Sequence, residues 1–258
     1  MVNLKKYRLA IKLFGLILTF ALSVGCAPKN YAVAKIEGRE IAVTETAGQH
    51  QEIEDFIKPY RQNIDKDMSA VLAYSPNTLD KSGKWETPIG NLMADAAKEL
   101  AGRVFEQREG KAIDICLLNF GGIRSIIPKG DVTTRTAFEI MPFENRLIVA
   151  ELNGSAVLEM VDYIIAEKKA HPTSGLFFVI SKDNTAKDIT IGGKPFDARK
   201  TYTVLTSDYL INGGDRMDFF KKSLKNHDLD YKLRNVLIDY FKKADTLPLI
   251  VDGRIKSE

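Results

Sequence analysis

The sequence predicts a mixed α/β domain, and three patterns carry that expectation. Short apolar runs of strand length, such as Ile113-Asp114-Ile115-Cys116-Leu117-Leu118 and Leu176-Phe177-Phe178-Val179-Ile180-Ser181, are interspersed with longer stretches whose apolar residues recur every three to four positions. The alternation is irregular and no segment repeats at a fixed period, which argues for one mixed domain and against a repeat architecture. The composition, 45% hydrophobic and 28% charged over 258 residues, is that of a chain able to bury a core.

The start of the chain reads separately. Lys5, Lys6, Arg8 and Lys12 precede a short apolar run that Gly25-Cys26 closes. This is the layout of a secretory signal peptide over residues 1–25, and the run is too short to span a bilayer comfortably. Cys26 resembles the lipidated first residue of a bacterial lipoprotein, which predicts an exported, membrane-anchored protein facing the periplasm or the cell surface. Ser23 stands where the lipoprotein box usually has Leu, so cleavage by an ordinary signal peptidase is the alternative. From Cys26 onward the chain holds 33 basic and 34 acidic residues. The excess of basic charge therefore belongs to the signal, and no electrostatic footprint for a nucleic acid polymer is left. With Cys26 lipidated, Cys116 is the one remaining thiol, so no disulfide within the chain is expected, and its apolar strand makes it an inert core residue.

Residues 26–48 form a lead-in, with a small hairpin expected around Gly38 from Tyr31-Ala32-Val33-Ala34-Lys35-Ile36 and Arg39-Glu40-Ile41-Ala42-Val43. The main domain is expected over residues 49–258. It begins with a helix over residues 50–67 that carries Ile53, Phe56, Ile57, Tyr60 and Ile64 on one face, kinked or ended by Pro59. A strand follows at residues 68–74. Thr87-Pro88 is a helix entry, a hydroxyl cap and then proline in the first turn, and that helix runs to Gly102 with Leu92, Ala96 and Leu100 as its stripe. Gly90 near its start suits either close packing or a helix end left open to a ligand. Further strands are expected at residues 131–136, 146–152, 176–181, 188–191, 201–206 and 249–251. Helices are expected after the Asn153-Gly154-Ser155 cap, through Lys168, and over residues 229–244, where Leu233, Val236, Leu237, Tyr240 and Phe241 face inward.

Chemistry concentrates in two glycine-containing loops and one aromatic between them. Asn119-Phe120-Gly121-Gly122-Ile123-Arg124 follows an apolar strand. Glycines there permit close approach of backbone to a ligand, and Arg124 supplies a planar fork of donors. A tight turn is the alternative. Phe143, after Met141-Pro142, is a large aromatic in an expected loop. Tyr209 and Asp215 bracket Asn212-Gly213-Gly214. Two aromatic faces suit a flat heterocycle, and a carboxylate can accept both hydroxyls of a ribose. Taken singly, Phe143 and Tyr209 also suit packing, and Asp215 suits a turn.

In this order the motifs resemble the C-terminal, substrate-binding domain of the 5′-nucleotidase family. The resemblance extends from Ile53 to Val251. It is carried by Glu86-Thr87-Pro88-Ile89-Gly90-Asn91-Leu92-Met93-Ala94-Asp95-Ala96, Asn119-Phe120-Gly121-Gly122-Ile123-Arg124, Met141-Pro142-Phe143-Glu144-Asn145, Leu152-Asn153-Gly154 and Asn212-Gly213-Gly214-Asp215. It implies a four-layer α/β/β/α sandwich that binds the nucleoside part of a nucleotide. Phe143 and Tyr209 would then sandwich the base. Asn119 and Arg124, with Gly121 and Gly122 between them, would contact base, ribose or phosphate, and Asp215 would take the ribose. Lys84-Trp85 departs from the family, which usually has an arginine there.

The family's catalytic centre lies in a separate metallophosphoesterase domain that binds two metal ions. This chain has His50, His171 and His227 in unlike contexts, no set at metal-ligand spacing, and no Gly-x-Ser-x-Gly nucleophile. No metal or other cofactor is expected on this chain; divalent metal is expected on a separate catalytic partner. The expected function is a nucleotide- or nucleoside-binding subunit acting with that partner. A nucleoside-binding lipoprotein acting alone and a degenerate structural domain are the alternatives.

Overall fold

The computed structural model describes residues 7–23, 32–44, 48 and 50–258. Chain contacts separate it into two units, residues 1–51 and 52–258. In the first unit Arg8–Ser23 forms helix α1. Among the described residues, no helix is long and apolar enough to cross a membrane. Cys26 and Tyr31 lie outside the described residues. Residues 32–44 form no strand, in contrast to the expected hairpin, and Val33, Ile36, Ile41 and Val43 are all solvent-exposed. A two-stranded hairpin with no apolar surface to rest on is marginal in water.

Helix α2 (Gln51–Met68) forms where a helix was expected. It runs unbroken through Pro59, and none of its residues is buried. Ile53, Phe56, Tyr60 and Ile64, which share one face, stand more than half exposed. After it the order is β1 (Val71–Ser75), α3 (Pro88–Glu109), β2 (Ile115–Leu117), β3 (Gly130–Thr133), α4 (Thr134–Ile140), β4 (Arg146–Asn153) and α5 (Gly154–Glu167). Then come β5 (Thr173–Ser174), β6 (Leu176–Ile180), β7 (Ala186–Ile191), β8 (Lys194–Pro195), β9 (Thr201–Ser207), α6 (Asp208–Ile211), β10 (Lys225–Lys232), α7 (Leu233–Ala244) and β11 (Ile255–Ser257).

A five-stranded sheet in the order β10-β4-β9-β2-β5 organises the second unit, beside a four-stranded sheet β11-β6-β7-β8 and the pair β1-β3. Side chains alternate across each central strand and divide between two cores. Cys116, Leu147, Val149 and Leu205 face α3 and α7. Ile115, Leu117, Ala150, Leu152 and Val204 face α5 and the inner row of the four-stranded sheet, Leu176, Phe178, Ile180 and Ile255. These are the two helical groups and two main sheets of the expected α/β/β/α class. Cys116 is fully buried, and burial pushes its thiol pKa far up, so it is an inert core residue.

Three strand and helix expectations fail for identifiable reasons. The β-branched run at residues 131–136 starts as β3, but Thr133 turns into a cap. Its hydroxyl accepts the Thr136 N–H while the Thr136 hydroxyl accepts the Thr133 N–H at 3.1 Å, and α4 begins there. The helix expected from Leu229 starts at Leu233, because residues 225–232 pair with β4 as an edge strand. Leu229 is buried in the same core as the α7 stripe, which is why the helical spacing extended back to it by coincidence. The closing strand is residues 255–257, parallel to β6, not residues 249–251, where Leu249 and Val251 are half exposed.

The Glu86 to Asn91 motif proves to be a joint. Thr87 caps α3 by accepting the Gly90 N–H at 3.0 Å. A Cβ on Gly90 would lie 2.7 Å from that hydroxyl, so close packing explains this glycine. Buried Asn91 donates to Glu86 at 2.8 Å and to the Ile250 carbonyl at 3.2 Å, and the other Glu86 oxygen accepts the Gly253 N–H at 2.7 Å. Trp85 is buried against the α5 core. Gly154, at the start of α5, is equally constrained: a Cβ would lie 2.3 Å from the Ala198 carbonyl oxygen.

Candidate functional site

The sheet brings the site together at one edge. Strand β2 runs parallel to β9, pairing Ile115 with Val204. Strand β4 runs antiparallel to β9, pairing Leu147 with Ser207, and β10 runs antiparallel to β4, pairing Lys232 with Arg146. The ends of β2, β9 and β10 and the start of β4 therefore share one side of the sheet. From that side emerge the turn after β2, the loop before β4, α6 with its glycine loop, and the first turn of α7. Ligand sites of α/β sheets commonly lie outside strand carboxyl ends in this way.

These segments enclose a cleft of about 370 Å³ whose lining includes all seven residues expected from the sequence: Asn119, Gly121, Gly122, Arg124, Phe143, Tyr209 and Asp215. Phe143 and Tyr209 are 41% and 46% exposed, large rings left open to solvent at the cleft. Asp215 is the hub of the polar wall. One carboxylate oxygen accepts from the Tyr209 hydroxyl at 2.9 Å and the other from the Asn119 amide at 2.8 Å. Each oxygen keeps a further acceptor site. The bond to Asp215 raises the Tyr209 pKa, so the phenol stays protonated and donating at neutral pH. A phenylalanine at 209 could not make this tie.

The glycines act by permitting close approach. Gly121 and Gly122 form a 3₁₀ turn, Phe120–Gly122, and neither has positive φ. A Cβ on Gly122 would meet the Asn119 side-chain oxygen at 2.8 Å, whereas one on Gly121 would make only ordinary contacts. In the second loop a Cβ on Gly214 would sit 2.6 Å from the Tyr209 ring, so this glycine lets the backbone lie against the aromatic. Asp215 and Arg216 follow with φ of 52° and 63°, left-handed values that non-glycine residues rarely hold outside functional sites or tight turns.

Four features of the site were not legible beforehand. Asn145 and Ser207 add polar groups to the cleft lining, and Leu118, Met141 and Leu233 supply its apolar part. Ser207 also caps α6, accepting the Leu210 N–H, so Tyr209 is held on a helical turn where a loop was expected. Lys81 approaches from the loop after β1, donating to the Ile123 carbonyl at 3.1 Å and lying 3.8 Å above the Phe120 ring. Its contacts with Ile123 and Phe120 put it next to the Gly121-Gly122 turn, and burial, then the Arg124 charge, lower its pKa. Among the described residues, no group of His, Cys, Asp and Glu is arranged to hold a metal ion.

His171 supports the same turn from behind. Its Nδ1 accepts the Phe120 N–H at 3.2 Å, and the ring is 4% exposed. Burial, and secondly the Lys169 charge, push its pKa down to about 4, so the folded protein holds it neutral. An unfolded histidine titrates near 6.5, so between about pH 6.5 and 4 the unfolded chain binds more protons and stability falls with acidification. Urea unfolding at pH 7 and pH 5 is expected to differ by about 2 kcal/mol from this residue. In His171→Asn, whose amide oxygen can still accept the Phe120 N–H, that difference should shrink accordingly. An unchanged pH dependence would show that His171 does not titrate in this way.

The family model of the 5′-nucleotidase C-terminal domain matches residues 65–222. The chain belongs to that family. Protein UshA of Escherichia coli (strain K12) is 24% identical over 189 residues, 69% of this chain and 32% of UshA. The 5′-nucleotidase of Rattus norvegicus is 23% identical over 245 residues, 85% of this chain and 42% of that protein. Among solved structures, a 5′-nucleotidase precursor from Thermus thermophilus shares the fold with a TM-score of 0.66 at 23% identity, over 80% of this chain and 43% of that one. The chain thus spans less than half the length of each of these relatives.

Proposed function

We propose that the chain binds the nucleoside part of a nucleotide and works with a separate metallophosphoesterase chain, exported and anchored to a membrane through Cys26. The observation that carries this reading is the single cleft lined by two open aromatic rings, the Asp215 carboxylate and Arg124. The base would stack between Phe143 and Tyr209. The ribose hydroxyls would donate to the acceptor sites that Asp215 keeps beyond its bonds to Tyr209 and Asn119. Arg124, with Lys81 beside it, would face the phosphate. Hydrolysis is assigned to the partner, whose divalent metals would activate water while this chain holds the substrate in place. The relatives' additional length is where such a second unit would reside in a single chain.

Calorimetric titration with adenosine and AMP tests the binding step, with saturable one-site heat expected for both. No saturable heat up to millimolar ligand would overturn it. The partnership is tested by adding the purified chain to a metallophosphoesterase with AMP and divalent metal. A faster rate than that of the phosphoesterase alone is expected. An unchanged rate with no complex on size exclusion would remove the split-enzyme reading and leave a binding lipoprotein.

A further inference from the structure

We propose that Arg234 is a positioning residue that fixes the ring of Phe143 at the cleft, an inference that rests on the nucleoside-binding reading. Arg234 lies in the first turn of α7 and is buried. A cation there is doubly unfavourable, being removed from water and placed at the positive end of a helix dipole. Its surroundings offset part of this, leaving its Nε buried without a hydrogen-bond partner among the described residues. One guanidinium nitrogen donates to three successive carbonyls of the loop before β4, those of Met141 at 3.4 Å, Pro142 at 3.1 Å and Phe143 at 3.4 Å. A second donates to the Glu144 carboxylate, and the guanidinium lies 4.1 Å from the centre of the Phe138 ring.

The loop over residues 141–145 has no ladder of its own. It is held at its far end by the Leu233 N–H, which donates to the Asn145 carbonyl at 2.9 Å, and by the ion pair of Lys232 with Glu144. Its odd-numbered residues, Met141, Phe143 and Asn145, line the cleft, and the three carbonyls bound by Arg234 lie along the same stretch. Arg234 therefore determines the backbone path that presents Phe143. Lysine keeps the charge but is a point donor, unable to spread over three carbonyls and a carboxylate together. A loop left free would have to be ordered by the ligand, which costs affinity.

The test combines binding with loop exchange. Arg234→Lys is expected to raise the adenosine Kd about tenfold, the scale of ordering a short loop on binding. In a Phe143→Ala background the same change should cost less than about twofold, because the residue it acts through is gone. In ligand-free protein, the Leu233 amide, which donates to the Asn145 carbonyl, should exchange faster in Arg234→Lys while those of β4 stay protected. Glu144→Gln, at a mostly exposed carboxylate that leaves the core untouched, should also speed exchange at Leu233. An equal loss of affinity in both backgrounds, or unchanged Leu233 exchange in both variants, would overturn the proposal. If the parent protein binds no adenosine, the nucleoside reading fails by itself, and the exchange data still judge whether Arg234 holds the loop.

Discussion

Phe143→Ala is expected to weaken adenosine binding about 5- to 150-fold, from the roughly 1–3 kcal/mol that one aromatic contributes to stacking a base. The unfolding midpoint should stay where it is, because the ring is 41% exposed and belongs to neither core. Tyr209→Phe and Tyr209→Ala separate the two parts of the second aromatic of the cleft. Phenylalanine keeps the stacking surface but removes the donor to Asp215, so its loss should appear with adenosine and be smaller with the free base, which has no ribose. Alanine should weaken both ligands. Calorimetry on the three variants decides the matter: adenosine affinity unaffected by both alanine changes would remove the aromatic sandwich from this cleft.

The largest stability effect is expected at a residue outside the cleft. Arg254 is 3% exposed and forms paired bonds with both Asp95, at 3.0 Å and 3.0 Å, and Asp252, at 2.9 Å and 3.0 Å, and donates to the Thr173 carbonyl at 2.6 Å. It ties the last segment of the chain to α3 and to the edge strand β5. Removing one partner of a buried charge cluster commonly costs about 3–5 kcal/mol, and partial exposure of the two carboxylates moderates this. Arg254→Met is therefore expected to lose about 3 kcal/mol by urea unfolding and to lower the melting temperature by about 6–12 °C. A loss below about 1 kcal/mol would mean that water replaces the guanidinium at both carboxylates. The neighbouring joint, Glu86 with Asn91 and the Gly253 N–H, shows the same dependence of the chain's end on the start of α3.

These two residues illustrate how differently site and scaffold were written in the sequence. Phe143 could be singled out because a large aromatic after Met-Pro, in a stretch with no helical or strand period, has no obvious core role. Arg254 carried no such mark. Its importance comes from Asp95, 159 residues away in the chain, and no local pattern announces that contact. Lys81 was passed over for the same reason: its relation to Arg124 and Phe120 exists only across the folded turn. The apolar face of α2 shows the converse. Its spacing correctly gave a helix, but spacing reports which side is apolar and not whether anything covers it.

By itself the sequence determined what short-range physics can encode. Period-two and period-3.6 runs gave strands and helices, Thr87 and Asn153 gave helix starts, and an ordered set of motifs gave the α/β class and pointed to seven residues that the lining of one cleft includes. Tertiary structure alone decided that these residues meet, because the parallel pairing of β2 with β9 and the antiparallel pairings of β4 and β10 bring four distant segments to one edge. It also decided the roles of the polar groups. Whether Tyr209 offers a face or a donor, and whether Gly122 permits a turn or a close contact, depends on which atoms stand within about 3 Å in space. That distance is fixed by sheet register and core packing, which no window of neighbouring residues contains.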